Sequence, residues 1–117
     1  MAYIDDSKAS FLALGTSGIA GNVRVKLDST GKITLAGQGD QEIGVTDFKV
    51  NDNTTPVKVH LTNGGGSLEV IAGSAVAVGS VVKRAANGKV AATGGTDYGI
   101  AAQAASADGD TIEVFPL

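Results

Sequence analysis

The chain of 117 residues reads as mainly β, a small barrel or sandwich of short antiparallel strands. Three observations carry this. Short segments such as VKVHL (Val57–Leu61) and VRVKL (Val23–Leu27) alternate apolar and polar residues, the period of a strand with one wet face. No stretch of ten residues carries a convincing helical stripe. The 17 glycines are too many for a helical protein and do not recur every third residue, which fits a turn-rich β chain and excludes collagen.

From Ile19 onward each element follows from local chemistry. VRVKL is a strand, Asp28-Ser29-Thr30-Gly31 a turn with a glycine free to take positive φ, and KITLA (Lys32–Ala36) the returning arm of a hairpin. After a turn at Gly37–Asp40, EIGVTDFKV (Glu42–Val50) reads as a strand in which Gly44 marks a bulge or a close backbone contact. Asn51–Pro56 is a loop, VKVHL a strand, Asn63–Gly66 a break, and SLEVIA (Ser67–Ala72) a strand. AVAVG (Ala75–Gly79) then runs into SVVKRA (Ser80–Ala85). Asn87-Gly88 is a tight-turn dipeptide followed by KVAAT. DYGIAAQAA (Asp97–Ala105) suits strand or short helix by propensity. Strand is preferred, because Gly99 and the neighbouring hairpins agree with it. A turn at Ser106–Gly109 leads into the last strand, TIEVF (Thr111–Phe115).

Residues 1–17 differ from the rest. A short helix near Lys8–Leu14, capped by Asp6 or Ser7, is one reading; it has under three turns and is marginal alone. The preferred reading is an extended N-terminal arm, 1–17, that becomes ordered against a partner, followed by a β-rich domain, 18–117. Tyr3, Ile4, Phe11 and Leu12 are then the apolar anchors of that contact, and Asp5, Asp6 and Lys8 its polar rim.

The β domain repeats itself. An offset of 57 places Val25-Lys26 on Val82-Lys83, Gly31-Lys32-Ile33 on Gly88-Lys89-Val90, Gly37 on Gly94 and Asp40 on Asp97. The offset then drops to 55, where Gly44-Val45 meets Gly99-Ile100 and Val57-Lys58-Val59 meets Ile112-Glu113-Val114. Two related hairpin units, 18–62 and 75–115, are expected, each too small to bury a sheet alone.

Little here suggests chemistry. With no cysteine there is no disulfide, thiolate site or thiol nucleophile. His60, the single histidine, lies on the wet side of VKVHL with Lys58 and has no second histidine for a metal site. Asp108-Gly109-Asp110 lacks the order of a calcium loop and reads first as a turn. The glycine-rich stretches Gly15–Gly18 and Gly64–Ser67 lead into no phosphate-binding helix, and no nucleophile elbow is present. Net charge is −3, and basic residues cluster no further than Lys83-Arg84, so no nucleic-acid partner is expected. The N-terminus lacks a signal-peptide pattern and no apolar run is long enough for a membrane helix, so no membrane partner is expected either. The composition points to a non-enzymatic chain without cofactors or metals.

The second half, from Leu68 to Leu117, resembles the decoration or cement proteins of tailed-phage heads. The matching elements are Ala72-Gly73, Ala75 to Gly79, Val82, Gly88-Lys89-Val90, Gly99-Ile100-Ala101, Ala104-Ala105, Gly109-Asp110 and Ile112-Glu113-Val114. The resemblance is weak before residue 19 and rests on small residues. It implies a β-rich structural protein on the outer capsid surface of the virion, bound to the major capsid protein, associated as a homotrimer and tying capsomers together, with an N-terminal arm reaching the shell. The doubled hairpin unit departs from that pattern. The rival readings are another virion module (head-fibre base, tail-tube or baseplate component), a surface- or carbohydrate-binding β module, and, least favoured, a small enzyme. A carbohydrate-binding module would need an exposed aromatic, and only Tyr3, Tyr98, Phe11, Phe48 and Phe115 can serve.

Overall fold

The computed structural model describes residues 8–62 and 66–117. They form ten strands: β1 Lys8–Phe11, β2 Arg24–Leu27, β3 Ile33–Leu35, β4 Gly44–Thr46, β5 Val57–Leu61, β6 Leu68–Ile71, β7 Val81–Arg84, β8 Val90–Ala91, β9 Asp97–Ala101 and β10 Thr111–Pro116. A 3-10 turn, Ala86–Gly88, links β7 to β8. The strands make two five-stranded sheets, β1-β5-β4-β2-β3 and β6-β10-β9-β7-β8, with every neighbouring pair antiparallel. The fold class is therefore mainly β, as the alternation and the glycine-rich turns predict.

The two sheets have one topology. Replacing β1 to β5 by β6 to β10 in order converts the first strand order into the second. The correspondence reaches single hydrogen bonds: Asp28 N–H donates to Lys32 O as Ala85 N–H does to Lys89 O, and Asp47 N–H to Lys58 O as Ala102 N–H does to Glu113 O. Isolated bridges repeat as well, Ile19 with Val50 and Val76 with Ala105. The parallel bridge Ala13–Ile33 likewise recurs as Ala72–Val90. That last pair extends the match, at an offset of 59, back into the segment before Gly18.

Each unit has its own core of small and β-branched side chains, and the cores match position by position. Ala13, Ile19, Val25, Ile33, Val50, Val57 and Val59 of the first core correspond to Ala72, Val76, Val82, Val90, Ala105, Ile112 and Val114 of the second. At two equivalent strand positions, 44 and 99, the residue is glycine and the opposing strand approaches closely. A Cβ on Gly44 would overlap the His60 carbonyl oxygen and come within 2.8 Å of Val59 Cγ1. Gly99 meets the Phe115 carbonyl oxygen and, at 2.7 Å, Val114 Cγ1 in the same way. Gly44 is thus a close-approach glycine, as its place inside a strand suggests.

Residues 8–17 differ from expectation. Lys8–Phe11 is neither helix nor free arm but the edge strand β1, in register with β5 from Lys8 opposite His60 to Phe11 opposite Val57. Ala13 is buried, Leu14 N–H donates to Ile33 O, and Ile33 N–H donates to Leu12 O. The segment has too few residues for a stable isolated helix, whereas the sheet offers it a ladder and a core position. Among the described residues the first unit therefore already includes Lys8–Phe11, ahead of the expected boundary at 18. Several predicted strands are also shorter than their apolar runs: of Glu42–Val50 only Gly44–Thr46 is strand, and Val76 contributes a bridge rather than a ladder.

The units share one body, with a Cα radius of gyration of 13.3 Å and extents of 37 × 27 × 22 Å. A single domain of this length has a radius near 13 Å.

Candidate functional site

The seam between the units holds the densest set of polar side chains. Arg24 of β2 and Glu42, two residues before β4, both have side chains with no solvent exposure. Arg24 Nη1 donates to Glu42 Oε1 at 3.0 Å. Its Nε donates to Lys89 O at 3.0 Å, and its Nη2 to Gly37 O at 3.2 Å and Ala85 O at 2.6 Å. One guanidinium thus satisfies two carbonyls of the second unit and a carbonyl and a carboxylate of the first. Arg84 of β7 reaches across from the other side and grips Glu42 with two parallel bonds, Nε to Oε1 at 2.7 Å and Nη2 to Oε2 at 3.0 Å. Its Nη1 donates to Thr96 Oγ1 and Asp97 O. Beneath both guanidiniums lies the Tyr98 ring, with centroid distances of 6.0 Å to Arg24 and 5.6 Å to Arg84, in cation–π range.

The electrostatics follow from this packing. Burial pushes the Glu42 carboxyl up, but the bonds from Arg84 and Arg24 outweigh it and hold the group below the ordinary carboxylate value. Burial pulls the Arg24 pKa down against the support of Glu42, and Arg84, less enclosed, is held up by its bond to Glu42. Burial above all pushes the Tyr98 phenol far up, so it stays neutral. Backbone contacts complete the seam: Ile71 N–H to Asn22 O at 2.8 Å and Gly88 N–H to Ala36 O at 2.8 Å. Val45 of the first unit packs in the core of the second.

Arg24 is where the sequence pattern misleads. Within VRVKL it looks like a residue of the wet face. That face is dry at Arg24 because the second unit covers it, and only Lys26 and Leu27 reach solvent. Alternation reports one sheet's own core and is blind to a second layer. Tyr98 and Glu42 escape notice for the same reason. The repeat held the usable signal: position 24 is Arg in one unit while position 81 is Val in the other.

Four aspartates outside the seam hold their own turns. Asp28 accepts from Thr30 Oγ1, Thr30 N–H and Lys32 N–H, with the Thr30 hydroxyl as the main cause of its lowered pKa. Asp52 accepts from the N–H groups of Thr54 and Thr55, and Asp110 from Ser106 N–H and Oγ, and both are lowered for that reason. Asp40 is lowered chiefly by Lys26 and then by Gly37 N–H. Asp108-Gly109-Asp110 is the turn the sequence suggests, with Asp108 paired to Lys89 at 2.9 Å. Among the described residues no group of three or more His, Asp or Glu converges as a metal set would. His60 sits on β5 opposite Lys8 and Val45.

Of the residues predicted to contact a partner, Tyr3, Ile4, Asp5 and Asp6 lie outside the described residues. Lys8, Phe11 and Leu12 stand together at the edge of the first unit. Lys8 Nζ bonds Asp47 at 2.8 Å. Phe11 packs against the first core. Phe11 and Leu12 also line an open groove of about 540 Å³ with Gly31, Lys32 and Pro56. A second groove, about 300 Å³, runs between Gly15–Ala20 and the Ile33–Leu35 strand. Both are shallow, and the groove beside Phe11 suits a side chain of another protein better than an enclosed small molecule.

No protein-family profile matches the chain, and no curated protein sequence matches it. A solved structure does: the head fiber gp8.5 N base of bacteriophage phi29 superposes with a TM-score of 0.73 at 21% sequence identity, over 94% of this chain and 94% of that one. The overall fold is therefore shared, over 94% of each chain, with a solved structure.

Proposed function

We propose that this chain is a structural protein of a tailed-phage virion, seated on the outside of the head in the manner of a head-fibre base. The observation that supports the reading is the likeness in fold to the phi29 head-fibre base over 94% of each chain. The cement-type resemblance of residues 68–117 supports the same location from an independent direction. On this reading the chain is not an enzyme. Its polar chemistry is used to lock two units together, and its work is contact with the major capsid protein. Self-association as a homotrimer near three times 11.6 kDa multiplies each weak contact by valence. It also adds burial to two thin cores.

The N-terminal contact is proposed for Tyr3, Ile4, Asp5 and Asp6 together with Lys8, Phe11 and Leu12 at the neighbouring edge. A truncation that tests it must stop before β1, because removing Lys8–Phe11 also removes a strand. The experiment is co-sedimentation of purified chain with heads lacking it, using full-length protein and a chain without residues 2–6. Binding of the full-length chain, weakened about tenfold or more by the truncation, is the expected result. No binding to heads would refute the reading. The cement alternative is separated by heating: a chain that ties capsomers together is expected to raise the temperature at which heads release DNA, and one that serves only as a fibre base to leave it unchanged.

A further inference from the structure

The second unit carries an uncovered copy of the face that the first unit buries. In the first sheet Arg24, Val45 and His60 stand directly opposite one another across β2, β4 and β5. Arg24 is 0% and Val45 2% exposed, because the second unit lies on them, and His60 at the end of the row is half-buried. In the second sheet the equivalent row is Val81, Ile100 and Phe115 across β7, β9 and β10, again directly opposite. These three are 42%, 37% and 52% exposed. A contiguous apolar row on a sheet is a surface that other protein covers.

The complementary surface is also present and also uncovered. Within the chain, the second unit covers Arg24 with its Gly88 turn: a Cβ at Gly88 would lie 2.7 Å from Arg24 O and 3.0 Å from Val23 Cβ. The first unit has a turn at the equivalent place, with Gly31 at φ 81° matching Gly88 at φ 74°, although Thr30 lacks the positive φ of Asn87. A Cβ at Gly31 meets nothing within 4 Å. Beside it run Leu27, which corresponds to Arg84 and is 43% exposed, and the groove lined by Phe11, Leu12 and Lys32. Leu12 corresponds to Ile71, whose N–H crosses the seam to Asn22.

The substitutions between the units are matched across the two faces. The seam pairs two arginines, Arg24 and Arg84, around buried Glu42. At the equivalent free positions both arginines are replaced by aliphatic residues, Val81 on one face and Leu27 on the other. At each free face the arginine of the seam has become aliphatic, and the Lys83–Asp97 ion pair borders the Val81–Ile100 part of the row.

We infer that this chain binds a second copy of itself head to tail: the Gly31–Leu27 edge of one copy covers the Val81–Ile100–Phe115 row of the next, repeating between chains the contact that joins the units within a chain. The contact is heterologous, with two different patches per chain, and it closes into a ring when the rotation per step permits. It supplies the surface for the self-association proposed above, but it rests on the seam geometry alone and requires no head.

The test is complementation, read as mass by sedimentation velocity and light scattering on the isolated protein. Val81→Asp damages one patch and Leu27→Glu the other. Phe115→Glu is a second variant of the first patch should Val81→Asp lose its fold by circular dichroism. Wild type is expected as a multi-chain species, and each variant alone as a monomer, with at least a tenfold weaker association. An equimolar mixture of a row variant and the Leu27 variant is expected to form a two-chain species, since one intact contact remains between them. A monomeric wild type across the micromolar range, folded variants that stay assembled, or a mixture that stays monomeric would each overturn the inference. A chain that assembles in this way yet ignores heads would refute the virion reading only.

Discussion

Glu42→Gln isolates the force that joins the units. The substitution keeps the shape of the side chain and removes the charge that compensates Arg24, whose side chain has no solvent exposure. Leaving a buried guanidinium without its carboxylate costs about 3–5 kcal/mol. A domain of this length is stable by roughly 6–18 kcal/mol, at about 0.05–0.15 kcal/mol per residue, so the variant loses a large share of its margin. On thermal melting the midpoint should fall on the order of 10–20 °C. Arg84→Met should cost less, about 1–2 kcal/mol, because Arg84 is partly exposed and Glu42 keeps Arg24. Replacing Arg24 and Glu42 together by Met should recover only part of the loss, since the carbonyls of Gly37, Ala85 and Lys89 then lose their donor. The pH dependence carries the same signature. Glu42 titrates lower when folded than when unfolded, so its stabilisation is complete above the unfolded value of about 4.3 and is lost as pH falls through the folded value. Urea melts from pH 7 to pH 3 should show this acid loss in wild type, flattened in Glu42→Gln. A loss below about 1 kcal/mol in Glu42→Gln at pH 7 would refute the reasoning.

Three further outcomes follow from the repeat. Gly31→Val should cost about 1–2 kcal/mol, the strain of a β-branched residue at positive φ, whereas Gly88→Val should cost clearly more because it also collides with Arg24 and Val23; equal costs in denaturant melts would contradict the seam. Gly44→Ala and Gly99→Ala should destabilise alike, each by about 2 kcal/mol or more, because each Cβ meets a strand carbonyl; tolerance of either, by the same melts, would break the equivalence. Deleting residues 2–17 should unfold or strongly destabilise the first unit, since it removes β1 and the buried Ala13; an unchanged melting midpoint would show that β1 is dispensable.

The sequence made some of this plain and concealed the rest for identifiable reasons. Hairpins were legible because turn chemistry is local: Asn87 and Gly88 both take positive φ, as a tight-turn dipeptide must. The doubled unit was legible because glycines at close contacts, such as Gly44 and Gly99, tolerate no side chain and so keep their places in both copies. Strand β1 was not legible, because KASF is only four residues long with weak β propensity apart from Phe11, and it is held by the partner strand β5 and by Ala13 in the core. The buried network of Arg24, Glu42, Arg84 and Tyr98 was hidden because each member looks like a surface residue until the second unit is laid on the first. The contact proposed for Tyr3, Ile4, Asp5 and Asp6 remains a matter for the truncation, and Phe11 and Leu12 already have places in the first unit's edge.

The most direct test of the central claim is an electron cryo-microscopy reconstruction of phage heads carrying this protein, compared with heads that lack it. The account predicts difference density on the outer surface of the shell, into which the two five-stranded units fit with residue 8 toward the major capsid protein. Heads that bear no such density, with the protein recovered from the tail or from the soluble fraction, would contradict it.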